Sequence, residues 1–283
     1  MKILQASKTL LLTIFLGMTN LGSAQSLTVV SWNLKDFGQS RDAKEIALIA
    51  NEIKHADIVA IQEVVAKHPG GAKAVARLAD QLNRMGAKWD YRISDPTRSS
   101  SPYKSERYAF LWKTSKVTNT GGRPALISEL ASAVEREPFL MHFKVNGEVL
   151  TILNYHACTH TKAYPEPAEI AAISKWLANQ SFANVVWAGD MNLVIDDQAF
   201  DQSKRQGYKS VLNGQKTSLK TKCKNGNYLS RAEDNILYKF STLDFEGGTV
   251  LDFIKNGNCS DVSWKRTSLS DHIPIAIEVQ FPL

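Results

Sequence analysis

Cysteine is scarce, with three residues in a chain of 283, which leaves room for one disulfide and one leftover thiol and rules out a disulfide-dense scaffold. Beyond one short N-terminal segment there is no apolar run of the roughly 20 residues that a membrane-spanning helix needs. No linker, internal repeat or low-complexity tract interrupts the sequence, so arrays and solenoids are excluded. There is also no aromatic or aliphatic hairpin insertion of the kind that enters a lipid surface.

Lys2 and Lys8 precede an apolar stretch from Leu10 to Met18, followed by Gly22, Ser23 and Ala24. That is the pattern of a secretory signal cut after Ala24, and no cysteine lies there to carry a lipoprotein anchor. Residues 25–283 are then expected as one large α/β domain, a secreted monomer, extracellular or periplasmic, without stable membrane association. The formal charge is +6, and still +4 without Lys2 and Lys8. A polyanionic partner is favoured by this balance, and Lys216, Lys220, Lys222 and Lys224 form a dense basic run. For charge alone, a solvated lysine-rich loop is the commoner explanation. In an exported chain Cys223 and Cys259 are the expected pair, because both lie in polar, loop-like sequence whereas Cys158 sits beside His156 at a strand end.

Hydrophobic periodicity predicts strands over Leu27 to Asn33, Asp57 to Gln62, Trp89 to Ile93, Tyr108 to Trp112, Phe139 to Val145 and Val149 to Tyr155, the last two joined by a turn at Asn146-Gly147. It predicts further strands ending at Gly189, over Asn235 to Phe240 and at the C-terminus. Helices are expected over Arg41 to Lys54, Lys73 to Met85 and Glu166 to Asn179. Ser94 to Ser105 and Lys204 to Ser230 read as large surface loops. Helices mixed with hairpin-joined strands argue for a two-sheet α/β sandwich with flanking helices rather than a purely parallel sheet.

Polar groups recur where these strands end: Asn33, Glu63, His156, Asp190 and Asn192, Asp234, and His272. Singly, each is more often a turn former, a cap or a satisfied structural residue. Six such positions in order are hard to explain as turns. Hard oxygen donors, an amide and histidines at one sheet rim are what metal-assisted phosphate chemistry requires.

The strings SWNLKDFG (31–38), DIVAIQEV (57–64), YKSERYAFLWK (103–113), EREPF (135–139), NYHA (154–157), VVWAGDMN (185–192), EDNILY (233–238) and SDHIPI (270–275) resemble the DNase I-like members of the endonuclease/exonuclease/phosphatase superfamily. The resemblance covers nearly all of residues 25–283, least clearly from Asp197 to Leu229. It implies an exported metal-dependent endonuclease that hydrolyses DNA with little sequence preference, with RNA, a sphingolipid or an inositol phosphate as alternative substrates of the same core. A noncatalytic polyanion-binding or toxin-subunit protein is the alternative from another class.

By the same resemblance Glu63 binds the divalent metal with Asn33 beside it, a donor set suited to Mg²⁺ or to Mn²⁺ in its place. His156 and His272 flank the scissile phosphate, oriented by Glu106 and Asp234. Asp190, Asn192 and Asp271 complete the pocket, with the general base on the Asp190 and His272 side. Tyr103 matches a tyrosine that packs on the minor groove and Arg136 an arginine that contacts phosphate. Val65 stands where relatives carry a groove-entering arginine, and Met191 replaces the usual aromatic of the GDFN string. No cysteine lies near Asp190 or Asp234, where the family's structural disulfide would fall, and no structural Ca²⁺ ligands are matched.

Overall fold

The computed structural model describes residues 25–120, 125–159, 162–254 and 257–282. The expected signal segment, residues 1–24, lies outside the described residues. In chain order the strands and helices begin with β1 (Gln25–Phe37), α1 (Ala43–Ile53), β2 (Ile58–Val65), α2 (Gly70–Arg84), β3 (Trp89–Ile93) and β4 (Glu106–Lys113). Next come β5 (Thr118–Asn119), β6 (Ala125–Leu126), β7 (Phe139–Val145), β8 (Glu148–His156), α3 (Glu166–Ala178), β9 (Asn184–Asp190), α4 (Asp201–Arg205) and β10 (Lys209–Ser210). The chain continues through β11 (Leu219–Lys224), β12 (Asn227–Leu229), β13 (Asp234–Phe240), β14 (Asp244–Val250), α5 (Cys259–Ser268) and β15 (Ile275–Phe281).

Two sheets face each other. Sheet one has the order β14-β15-β1-β2-β4-β3, and sheet two the order β10-β13-β9-β8-β7-β5 with β6 also on β7. Each carries one parallel pair at its centre, β1 with β2 and β8 with β9. Parallel neighbours need a crossover, supplied by α1 and α3. The predicted sandwich is the observed architecture. Residues that alternate inward, among them Val29, Ile58, Phe110, Phe139, Ile152, Val186 and Ile277, fill the space between the sheets. A second core packs sheet one against α1, α2 and α5, and a third packs sheet two against α3.

Local signals explain the element limits. Asp42 and Glu45 form a reciprocal capping box at the start of α1, and Ile46, Ile49, Ala50 and Ile53 turn inward. At the β7–β8 turn Asn146 and Gly147 have φ of 49° and 90°, the positive values a two-residue hairpin demands. Helix α2 starts at Gly70, ahead of the expected Lys73. Gly71 there lies so close to the Val65 carbonyl that a Cβ would sit 2.1 Å from its oxygen.

Several elements depart from expectation. The stretch Lys204 to Ser230 is not one loop, since it holds the end of α4, β10 and the β11–β12 hairpin. Strand β14 was not expected, and its Gly247 and Gly248 are poor strand formers on an edge. Helix α5 was missed too, because Val262 is its one fully buried residue and it shows no clear apolar stripe. The disulfide joins Cys223 to Cys259, the expected pair, although these lie on β11 and at the start of α5 rather than in loops. Cys158 is free and buried. The bridge spans 36 residues, for which chain entropy gives about 2–4 kcal/mol. Reduction should lower the denaturant midpoint and steepen the slope, because the unfolded chain expands once the bond is gone, measured by urea titration with and without reductant.

Candidate active site

The sheets meet at one rim, and the rim carries the chemistry. β1, β2, β8 and β9 end there and β4, β13 and β15 start there, so Asn33, Glu63, His156, Asp190, Glu106, Asp234 and His272 converge. Beneath them a buried amide bridge couples the two sheets. Gln62 Nε2 donates to Asn154 Oδ1 at 2.6 Å and to Ser31 Oγ at 3.1 Å, and Asn154 Nδ2 donates to the carbonyls of Ile61 and Ala109. Such a network fixes the relative height of the strand ends.

Asp190 is the centre, 1% exposed. The Nε2 atoms of His156 and His272 both lie 3.6 Å from its Oδ2. Each imidazole is held from behind, His156 Nδ1 by Glu106 Oε2 at 2.9 Å and His272 Nδ1 by Asp234 Oδ2 at 2.8 Å. Asp234 is in turn fixed by the Thr217 hydroxyl, which donates to it at 2.6 Å. Trp32 Nε1 donates to the His272 carbonyl at 2.8 Å, anchoring that loop to β1.

Burial pushes the His272 imidazole towards neutrality, but the carboxylates of Asp234 and Asp190 outweigh it and hold its pKa well above the usual value. His156 follows the same balance with Glu106 as its principal anion, and its pKa is raised. For Glu106, burial opposes ionisation, yet the Arg136 guanidinium and His156 bring its pKa below the ordinary carboxylate range.

Asn33, wholly buried, donates from Nδ2 to Glu63 Oε1 at 2.9 Å and to Asp190 Oδ2 at 3.1 Å. It therefore meets both carboxylates with its nitrogen and ties them together. Glu63 Oε2 accepts from the Asp36 backbone N–H at 3.0 Å. Glu63 has φ of 59°, while Lys35, Asp36 and Asn192 also have positive φ. Non-glycine residues in that region carry strain that clusters at functional sites.

A cleft of about 350 Å³ opens beside Glu63, lined by Asp36, Lys67, Tyr103, Glu106 and Arg136 among others. Its oxygen donors and access to water suit a hard divalent cation at Glu63. Asp190, Asp234 and His272 also offer three ligand atoms within 4.8 Å of one another. Within this group the His272 Nδ1-to-Asp234 Oδ2 hydrogen bond at 2.8 Å already engages one nitrogen and one oxygen.

No family model matches the chain. In sequence it is 28% identical over 267 residues to a protein named deoxyribonuclease from Thioalkalivibrio sp. (strain K90mix), covering 89% of this chain and 70% of that one. It is 26% identical over 186 residues to human deoxyribonuclease gamma, covering 62% of this chain and 59% of the relative. In structure it matches an endonuclease/exonuclease/phosphatase family protein from Bacteroides thetaiotaomicron with a TM-score of 0.62 at 17% identity, over 92% of this chain and 99% of that one. The chain has the DNase I-like fold.

Within that DNase I-like frame the remaining expected residues fall in different places. Asn192 lies at the rim, with its backbone N–H on Asp190 Oδ1 at 3.0 Å and its Nδ2 on the Ala157 carbonyl at 2.8 Å. Asp271 is adjacent in sequence to His272, but its carboxylate turns away to Lys35 at 2.7 Å and Arg266 at 2.9 Å. It is thus not brought onto Asp190, and those cations, with a hydrogen bond from Lys35, keep it ionised against the effect of burial. Tyr103 is 90% exposed at the cleft mouth, with the Lys67 ammonium 3.1 Å over its ring. Arg136 is largely enclosed. Its Nε lies 3.2 Å from Glu106 Oε2 and donates to the Lys104 carbonyl at 2.8 Å, while Nη1 is buried without a partner among the described residues. Thr217, Trp32 and Lys67 are functional neighbours that sequence reasoning missed. Thr217 lies in the stretch taken for a loop, and nothing in its local pattern marks it.

Proposed function

We propose that this protein is an exported, divalent-metal-dependent endonuclease that hydrolyses DNA phosphodiester bonds with little sequence preference. The chain is a hydrolase acting on phosphodiester bonds. The observation that carries the site assignment is that two carboxylate-backed imidazoles both approach one buried aspartate oxygen to 3.6 Å.

That geometry supports an in-line displacement. Asp190 receives a proton from the attacking water as the new P–O bond forms. The two imidazoliums then donate, one to a nonbridging oxygen and the other to the alkoxide that departs as the ester P–O bond breaks. Glu63 would hold the divalent cation, which when bound would neutralise charge on the phosphoryl oxygens. Asn33 fits as the residue that holds Glu63 and Asp190 at a fixed separation, and Mg²⁺ or Mn²⁺ matches the hard oxygen of Glu63. Asn192 gives one amide hydrogen to the Ala157 carbonyl and, in this reading, the other to a phosphate oxygen. Export is supported by the Lys2, Lys8 and Leu10 to Met18 pattern and by the Cys223–Cys259 bond, since disulfides persist in oxidising compartments.

The test is purified protein with supercoiled plasmid, RNA and single-stranded DNA in Mg²⁺, Mn²⁺ or Ca²⁺. Plasmid nicking at many positions is expected, with loss of activity to background in chelator and recovery on adding Mg²⁺. Uncut plasmid, or cutting that chelator leaves untouched, would overturn the proposal, and faster cutting of RNA would reassign the substrate.

A further inference from the structure

The β11–β12 hairpin supplies none of the rim residues, yet it is rooted beside them. Ser218 forms an isolated β-bridge with His272. Leu219 N donates to the Asp271 carbonyl and Ile273 N to that of Thr217, both at 2.7 Å. The returning strand is tied to the same root by Thr217 N on the Arg231 carbonyl at 2.8 Å. From there the hairpin runs outward, packing Leu219, Cys223, Tyr228 and Leu229 on the core of sheet one. Cys223 is bonded to Cys259 of α5, and Arg266 of that helix reaches back to Asp271. The hairpin is therefore a fixed projection of the His272 side of the rim.

Strand β11 is irregular between Leu219 and Lys224, yet Leu219 and Cys223 still turn to the core while the lysines between and after them lie on the outside of the hairpin. Lys222 and Lys224 are exposed, as is Lys216 just ahead of the strand. The ion pairs that lysines make among the described residues belong to Lys35, Lys104, Lys113 and Lys265. Lys220 has a neutral partner, Asn227 Oδ1 at 2.7 Å. The nearby cations Lys35, Arg41 and Arg266 share a cleft of about 360 Å³ with Asp36 and Glu45 and are paired with Asp271 and Glu45, so the unpaired positive charge belongs to the hairpin. Like charges in a row repel, and an anion with a regular charge spacing relieves that repulsion.

We propose that the disulfide-anchored β11–β12 hairpin is a second nucleic-acid contact, a lysine arm that binds the phosphodiester backbone beyond His272 and lengthens the footprint of the site. The proposal rests on the nuclease reading of that site. Lysine offers a point charge without the planar fork that reads bases, so the arm adds affinity and no sequence preference.

The test compares the parent with Lys222→Gln/Lys224→Gln and Lys222→Arg/Lys224→Arg. Binding to 8- and 40-base-pair duplexes is measured in Ca²⁺ at 50 and 200 mM salt, and turnover of bis(4-nitrophenyl) phosphate in Mg²⁺. Losing two phosphate contacts flattens the salt dependence, so the rise in salt should cost the parent about 12-fold more affinity for the 40-mer than it costs the Gln variant. Expected alongside are unchanged binding of the 8-mer, unchanged small-diester turnover, and parent-like behaviour of the Arg variant. Equal salt dependence in parent and Gln variant, or equal losses on both duplexes, would overturn the arm. A parent inert towards both the diester and DNA would instead overturn the nuclease reading, and the binding comparison reports on the arm separately.

Discussion

Replacing His272 with alanine should lower the rate of plasmid nicking by about 10²–10⁴-fold, the usual worth of a positioned acid or base. The ring lies 3.6 Å from Asp190 and is held by Asp234 at 2.8 Å, so its loss removes a proton donor and leaves Asp234 facing the site without its cation. Asp234→Asn should cost less, because an imidazole remains and the Thr217 hydroxyl still has an oxygen to bond. Its signature is a change in pH dependence. Burial opposes the charged ring, and Asp234 leads the anions that overcome it. Without that carboxylate the His272 pKa falls, and activity that needs the imidazolium should decline at a lower pH on the alkaline side. Initial rates across pH, with thermal unfolding as a control for folding, decide the matter. Two variants as fast as the parent would remove His272 from the mechanism.

Much of this site is legible in the sequence because strands deliver their last residue to a fixed place. An apolar run such as Val185 to Ala188 announces a buried strand, and the polar residue that ends it has to emerge at the rim. His156 and Asp190 are the last residues of β8 and β9, Asn33 and Glu63 lie near the ends of β1 and β2, and Asp234 opens β13, so all five reach the same rim. Side-chain direction is a different matter. Asp271 sits beside His272 in sequence yet turns to Lys35 and Arg266, a choice made by cations more than 230 residues away in one case and on a missed helix in the other. Arg136, matched in sequence to a phosphate-contacting arginine, is likewise drawn inward by a buried carboxylate.

The fold shows the same division. Strands with continuous apolar runs and helices with a clear inward stripe are found at or near their expected limits. Elements stabilised from outside their own sequence are not. The β11–β12 hairpin alternates lysines with Leu219 and Cys223 and is fixed by a covalent bond to α5. That helix in turn buries little of itself, and its place is set by the disulfide and by Arg266 at the His272 loop. Period alone cannot reveal elements that hold each other.

Glu106→Ala should be the most damaging single substitution in stability. Glu106 is 5% exposed and lies between two buried cationic groups, Arg136 at 3.2 Å and His156 at 2.9 Å. Arg136 Nη1 already lacks a partner among the described residues, so deletion of the carboxylate strands the guanidinium with one backbone carbonyl. Breaking a buried pair in this way costs about 3–5 kcal/mol, and activity should fall about 10²-fold or more as His156 loses the group that orients it. The two losses are separable. Glu106→Gln combined with Arg136→Met removes both charges and should recover much of the urea midpoint, while the nicking rate stays low because no carboxylate backs His156. Acid provides a third check. Burial resists ionisation of Glu106, but Arg136 and His156 bring its folded pKa below the unfolded value of about 4.3. Its stabilisation is therefore complete above that pH and lost as pH falls through the folded pKa. The parent should lose stability in that acid window more steeply than Glu106→Ala does. Equal acid profiles would mean that the Glu106 carboxylate contributes nothing to stability, and a double variant that regains activity along with stability would mean that it serves the fold and not the histidine.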